Sequence, residues 1–223
     1  MSNFPIQHSI NIKFPISVER TDRVIEACEA FGMDMADSTF TVYEDFNFET
    51  EKGERIYVTG QSGSGKTQLL RQMKQDYIDA GLKVGDLDEV DIEDKPLVDQ
   101  LGETTNHAIE LLNMAGLNDA HLFIRKPNQL SDGQKYRLRI AKLLEKNVDV
   151  IICDEFGAIL DRETAKVLAR HIWNVSLKHK IAVVAATTHR DLQRDLGANK
   201  TIIKKYAHEK KMLVTDPAEL EVY

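Results

Sequence analysis

Eight consecutive residues, Gly60-Gln61-Ser62-Gly63-Ser64-Gly65-Lys66-Thr67, have the types and spacing needed to hold a polyphosphate. Glycines let backbone N–H groups curl around phosphate oxygens, and a helix that starts at once aims its positive end at them. In this pattern Lys66 reaches the terminal phosphates and the Thr67 hydroxyl ligates Mg²⁺. A nucleotide and Mg²⁺ are therefore the expected ligands. A flexible surface turn could share the pattern by chance, but the apolar strand before it and the helix after it argue against that.

Such a loop needs a second acidic group at the end of a neighbouring buried strand. Val148-Asp149-Val150-Ile151-Ile152-Cys153 leads into Asp154-Glu155. Asp154 is the expected metal-side carboxylate, and Glu155, one residue on, is placed to polarise the attacking water. His189 follows the apolar run Ile181–Ala186 through Thr187-Thr188, at the rim where open α/β sheets bind ligands. It is the candidate for a contact to the γ-phosphate and the water.

The elements that must position these groups are legible in outline. Ile10–Phe14 and Phe40–Phe48 alternate like strands, and Thr21–Ala30 reads as a helix stopped near Gly32. Ile56–Val58 is a short buried strand, and Thr67–Ala80 a helix stopped by Gly81. Helical patterns recur at Ala108–Ala115, from Ser131, and through Ala165, Leu168, Ile172 and Val175. Strands alternating with helices predict an α/β fold with a mostly parallel sheet. One domain is expected over 1–223, with a mainly β part over 1–58 and a short helical part over about 98–146. Six of the nine residues from Asp86 to Asp94 are acidic, which reads as a solvated edge or loop rather than a metal site.

Composition sets the outer limits. A net charge of -7 argues against wholesale wrapping of nucleic acid. Two cysteines, Cys28 and Cys153, are too few for a disulfide scaffold, and Cys153 lies inside an apolar run. The first ten residues lack a basic leader with an apolar core, and no apolar stretch is long enough to cross a membrane. A cytoplasmic protein with no direct membrane insertion is the expectation.

Leu130-Ser131-Asp132-Gly133-Gln134 opens the helix that precedes the Asp154 strand. Together with Gly60–Thr67, Asp154-Glu155, Leu160-Asp161 and His189, all in order, it makes the chain resemble the ATP-binding-cassette (ABC) ATPases. The resemblance spans roughly residues 38–205. It implies a P-loop cassette in which two copies sandwich two ATP molecules head to tail. Ser131, Gly133 and Gln134 of one copy would meet the γ-phosphate held by Lys66 of the other, with Asp161 along the seam. Gln100 looks like the family's glutamine that senses Mg²⁺ and water. Phe31, Phe40 and Tyr43 are the candidates for stacking on adenine.

The pattern departs from the family in places. Asp132 stands where the family has glycine, Phe156 where transporters show proline, and about 30 residues separate Gln100 from Ser131, making a short helical arm. The wording around the motifs resembles a soluble phage and bacterial subgroup whose longer members carry a predicted acetyltransferase domain. The favoured expectation is therefore an ATP-driven homodimeric switch on a soluble partner, possible nucleic acid or nucleoprotein contacts resting on Lys204, Lys205, Lys210 and Lys211. The alternative is the ATP-binding subunit of an ABC transporter; a P-loop kinase is disfavoured by Ser131 and Glu155.

Overall fold

The computed structural model describes residues 3–189, 191–204 and, in backbone only, 214–215. Its first element, β1 (Ile6–Ile16), pairs antiparallel with β2 (Ser38–Thr50), and α1 (Asp22–Phe31) lies in the connection between them. Ile6, His8 and Ile10 are buried while Gln7, Ser9 and Asn11 are exposed, as a strand with one covered face requires. That alternation fades after Ile12, and Phe14 and Ile16 stand exposed. Thr21 caps α1 by accepting from Val24 N–H, and Gly32, in the left-handed region at φ 62°, ends it.

Six strands make the second sheet. In spatial order they are β4 (Val84–Asp86), β5 (Val150–Cys153), β6 (Ala182–Thr187), β3 (Arg55–Gly60), β7 (Lys200–Lys204) and β8 (Val214–Thr215). The first five run parallel, and β8 is antiparallel to β7. Every residue of β3, β5 and β6 is buried, which is why these strands read as unbroken apolar runs rather than as alternation. Ile56–Val58 thus belongs to the centre of this sheet and not with the two strands before it.

Strand periodicity splits the core into two layers. Ile56, Val58, Ile152 and Val184 face α2 (Lys66–Asp79) through Leu69, Met73 and Tyr77, with Ile10, Val42 and Phe46 of the β1–β2 pair in the same cluster. Tyr57, Ile151 and Val183 face the opposite way. They join side chains of α3 (Thr105–Met114), α5 (Asp132–Glu145) and α6 (Arg162–His179), among them Leu112, Leu138, Leu168 and Ile172. The short α4 (Ala120–Phe123) adds Leu122 to that layer. Each fully buried aliphatic side chain of this kind contributes about 1.5–3 kcal/mol through area removed from water. The expected α/β sheet covered on both faces is the one found.

Candidate nucleotide site

The phosphate loop runs from the end of β3 to the start of α2, and two of its glycines are fixed by close approach. A Cβ on Gly60 would meet the Lys204 carbonyl of β7, and one on Gly65 would meet Val42 Cγ1 of β2. Gly65 also has φ 100°, a backbone that side chains resist. α2 begins with no side-chain cap, so its first N–H groups remain available to an anion. Lys66 Nζ donates to Gly60 O and Gln61 O, each at 2.9 Å. Burial lowers its pKa, while the nearby charges of Asp154 and Glu155 raise it.

Two further observations fit a nucleotide. Ser64 Oγ is buried without a hydrogen-bond partner in the middle of the loop. A cavity of about 490 Å³ opens beside the loop, walled by Gly63, Lys66, Thr67, Asp154, Glu155 and Thr188 among others. That volume suits a small ligand, and its wall joins backbone donors and a cation to two acids. ATP phosphates would be held by the loop backbone and Lys66.

Asp154 follows β5, and its Oδ2 accepts from Thr67 Oγ1 at 2.6 Å. A hydroxyl and a carboxylate so close are hard oxygen donors of the kind Mg²⁺ takes. Among the described residues no three His, Cys, Asp or Glu side chains group as a metal cage. Thr67 and Asp154 would hold Mg²⁺ together with phosphate and water oxygens, and the ion would supply charge neutralisation. Asp154 Oδ1 accepts from Glu155 N–H, and Glu155 sits at φ 49°. A non-glycine residue there costs roughly 1 kcal/mol or more, and surrounding contacts must hold it.

Ser131 and Gln134 cap each other at the start of α5. Ser131 Oγ accepts from Gln134 N–H, and Gln134 Oε1 accepts from Ser131 N–H at 2.9 Å. Neither they nor Gly133 line the cavity of their own chain, and Ser131 is exposed. Asp132, which stands where the family has glycine, pairs with Lys135 at 3.1 Å, which partly offsets its charge. Asp161 is exposed and caps α6, accepting from Thr164 N–H and Oγ1; those bonds hold its carboxyl below the usual range.

Three expectations change. Gln100 is buried, accepts from Glu93 N–H at 3.1 Å and donates to Lys95 O at 2.8 Å. The turn Leu97–Asp99 after Pro96 folds it back onto that segment, away from the cavity wall, so neither its metal nor its catalytic placement is met. His189 is held by its backbone: its carbonyl accepts from Tyr57 and Thr59 hydroxyls, and its N–H donates to Thr187. Thr187 and Thr188, rather than the His189 ring, reach the cavity wall. Tyr43 is core: its hydroxyl donates to Gly65 O, and its ring lies under Lys204 Nζ at 4.7 Å and beside Phe46. Phe31 and Phe40 stay exposed. Lys204 itself is half-buried and donates to Val42 O at 2.7 Å, which anchors its ammonium to β2. Lys205, Lys210 and Lys211 lie outside the described residues.

Sequence reasoning missed Asp88, whose Oδ2 accepts from Asp154 N–H at 3.1 Å. Partial desolvation raises its pKa, with the Asp154 N–H and Arg139 pulling it back. It also missed the ring contact between Phe156 and Tyr136, at 6.5 Å and nearly perpendicular, which joins α5 to the Glu155 turn. The acidic run from Asp86 was the available signal for the first, and Phe156 beside Glu155 for the second.

Known proteins agree with this geometry. The family described as ABC transporter matches residues 83–158, from the strand beside β5 to just past Glu155. The methionine import ATP-binding protein MetN of Clostridioides difficile (strain 630) is 25% identical over 198 residues, covering 73% of this chain and 61% of its own. Its namesake from Clostridium tetani (strain Massachusetts / E88) is 29% identical over 191 residues, with 70% and 59% covered. The chain thus spans about three fifths of the length of these relatives. Among solved structures, the dimeric bacterial ABC transporter cassette MJ0796 superposes with TM-score 0.60 at 20% identity, covering 79% of this chain and 92% of that one. CbiO1 from Clostridium perfringens, part of the ABC transporter complex cbiONQ, gives 0.62 at 16%, with 79% and 82% covered. At such identities the structures speak for the fold. The fold is that of the ATP-binding cassettes, and residues 83–158 match the ABC transporter family.

Proposed function

We propose that this chain is the ATP-binding subunit of an ABC transporter, hydrolysing Mg-ATP between two copies and passing the closure of that dimer to a membrane partner. The observation that carries the reading is the agreement between the divided site and the relatives. The relatives named above are import ATP-binding proteins, and the related cassette MJ0796 is dimeric in two solved forms. The switch acting on nucleic acid, favoured by the motif wording, loses its support. Lys204 is engaged by Tyr43 and Val42, and the relatives named above are methionine import ATP-binding proteins.

Within one copy, Lys66 and the loop backbone hold the triphosphate, and Thr67 and Asp154 face the metal. Glu155 takes the proton of the attacking water, with Thr187 and Thr188 walling the cavity beside it. In the Ser131–Gln134 turn Ser131 and Asp132 are exposed and Gly133 and Gln134 half-buried, and none lines the cavity of its own chain, which suits a turn that completes the site of a second copy. Its backbone donors at the start of α5 suit an anionic phosphate. Among the described residues no helix is long and apolar enough to cross a membrane.

Co-purification from detergent-solubilised membranes of the source cell tests the partner. Recovery of a polytopic membrane protein, with ATPase activity stimulated in the complex, is the expected result. Recovery of nucleic acid or a nucleoprotein instead, with no membrane protein, overturns the transporter reading.

A further inference from the structure

The acidic run after β4 contains a side chain that the hydrolysis site, as described, does not use. β4 and β5 pair in parallel register, Gly85 with Ile151 and Asp86 with Ile152, and Leu87 N–H donates to Ile152 O at 2.8 Å. Two residues beyond the last pair, Asp88 therefore stands level with Asp154. The residue is exposed, yet its carboxyl reaches the neighbouring backbone, where Oδ2 accepts from Asp154 N–H at 3.1 Å.

The backbone at this point needs holding. Glu155 sits in the left-handed region at φ 49°, which a residue with a side chain adopts only when its neighbours fix it. On its C-terminal side the fastening is Phe156, fully buried, whose N–H donates to Ala186 O at 2.7 Å and whose ring meets Tyr136 edge-on. On its N-terminal side the fastening is Asp88. The flanking acids are already engaged: Lys74 Nζ pairs with Asp86 at 2.8 Å and with Glu89 at 2.7 Å. Lys74 thus offsets the charge on both sides of Asp88 and leaves it as the acid facing the Asp154 backbone.

We propose that Asp88 is a positioning residue for hydrolysis, fixing the Asp154–Glu155 turn so that the Glu155 carboxylate is aimed at the attacking water. It does so through one accepted hydrogen bond and does not touch the nucleotide. The inference rests on Glu155 as the base.

The test compares Asp88→Ala and Asp88→Asn with the full chain by steady-state phosphate release from Mg-ATP, fluorescent ATP binding and thermal melting. Asp88→Ala is expected to lower kcat about 10- to 100-fold, the scale of a small misplacement of a catalytic group, with KM and nucleotide affinity nearly unchanged. Asp88→Asn is expected to recover most of that loss, because its carbonyl oxygen accepts the same N–H. Wild-type kcat in Asp88→Ala, or an Asn variant as slow as the Ala variant, overturns the proposal. If Asp88→Ala does not fold, the kcat of Asp88→Asn alone decides. Glu155→Gln, run alongside, separates the two claims: if it hydrolyses normally the base assignment fails, whereas full loss there with wild-type kcat in Asp88→Ala removes only the role of Asp88.

Discussion

Thr67 Oγ1 donates to Asp154 Oδ2 across 2.6 Å, so the first turn of α2 and the end of β5 are tied at the place where Mg²⁺ is expected. The two residues are far apart in sequence. They meet because β3, which delivers the loop, and β5, which delivers the acid, both flank β6 and end on the same rim of the sheet. Thr67 Oγ1 and Asp154 Oδ2 are the oxygens that would be offered to the cation, which would supply charge neutralisation there.

Glu155→Gln keeps the shape of the side chain and removes its basicity. Phosphate release should fall by about 10²-fold or more, the usual contribution of a positioned general base, while ATP is still bound. On size exclusion with Mg-ATP the variant should accumulate as a dimer. A monomer that continues to hydrolyse ATP contradicts the assignment.

Lys66→Ala removes the fixed positive charge beside the phosphates. A charge-assisted hydrogen bond contributes about 1.5–3 kcal/mol, so ATP affinity should fall by about 10- to 100-fold, as read by titration with a fluorescent analogue. The fold should survive, because among the described residues Lys66 Nζ bonds to the loop carbonyls of Gly60 and Gln61.

Subunit sharing is open to a mixing experiment. Lys66→Ala and Ser131→Arg should each be inactive alone. In a mixed head-to-tail dimer one site collects both defects and the other has none, so combining the two proteins should restore part of the hydrolysis. If the mixture stays as inactive as its components, the two elements do not serve a common nucleotide across copies.

Acid should destabilise the fold through its histidines. Burial lowers the pKa of His8, despite the Asp76 carboxylate at 2.7 Å, and of His171, which also faces Arg137. Below an unfolded pKa of about 6.5 the unfolded chain binds protons that the folded chain does not, so stability falls as pH drops through that value and is level above it. Melting temperatures should therefore fall between about pH 7 and pH 5.5, and His171→Gln should flatten the slope. An unchanged slope in that variant would exclude His171 as a contributor.

The chemistry was more legible than its setting. The stretch from Gly60 to Thr67 and the Asp154-Glu155 pair each depend on local order, a strand end followed by particular residues, and local order is what a sequence displays. Placement across the sheet is not displayed. Gln100 was expected beside the metal because of its position between two motifs, but Pro96 and the turn after it send its amide to Glu93 and Lys95. Asp88 was hidden inside an acidic run whose members look alike until parallel register sets one of them beside Asp154. The aromatic nearest the phosphate loop, Tyr43, proved to be packed beneath it, since burial of a single ring cannot be read from composition.

That packing has a bearing on how small a working cassette can be. Val42 and Tyr43 of β2 press against Gly65 from below, and Lys204 crosses the Tyr43 ring. The antiparallel pair is thus a floor under the phosphate loop and not an ornament at the edge. Trimming the chain to its larger sheet would leave that loop sagging, so a shortened version should keep β1 and β2 rather than begin at Arg55.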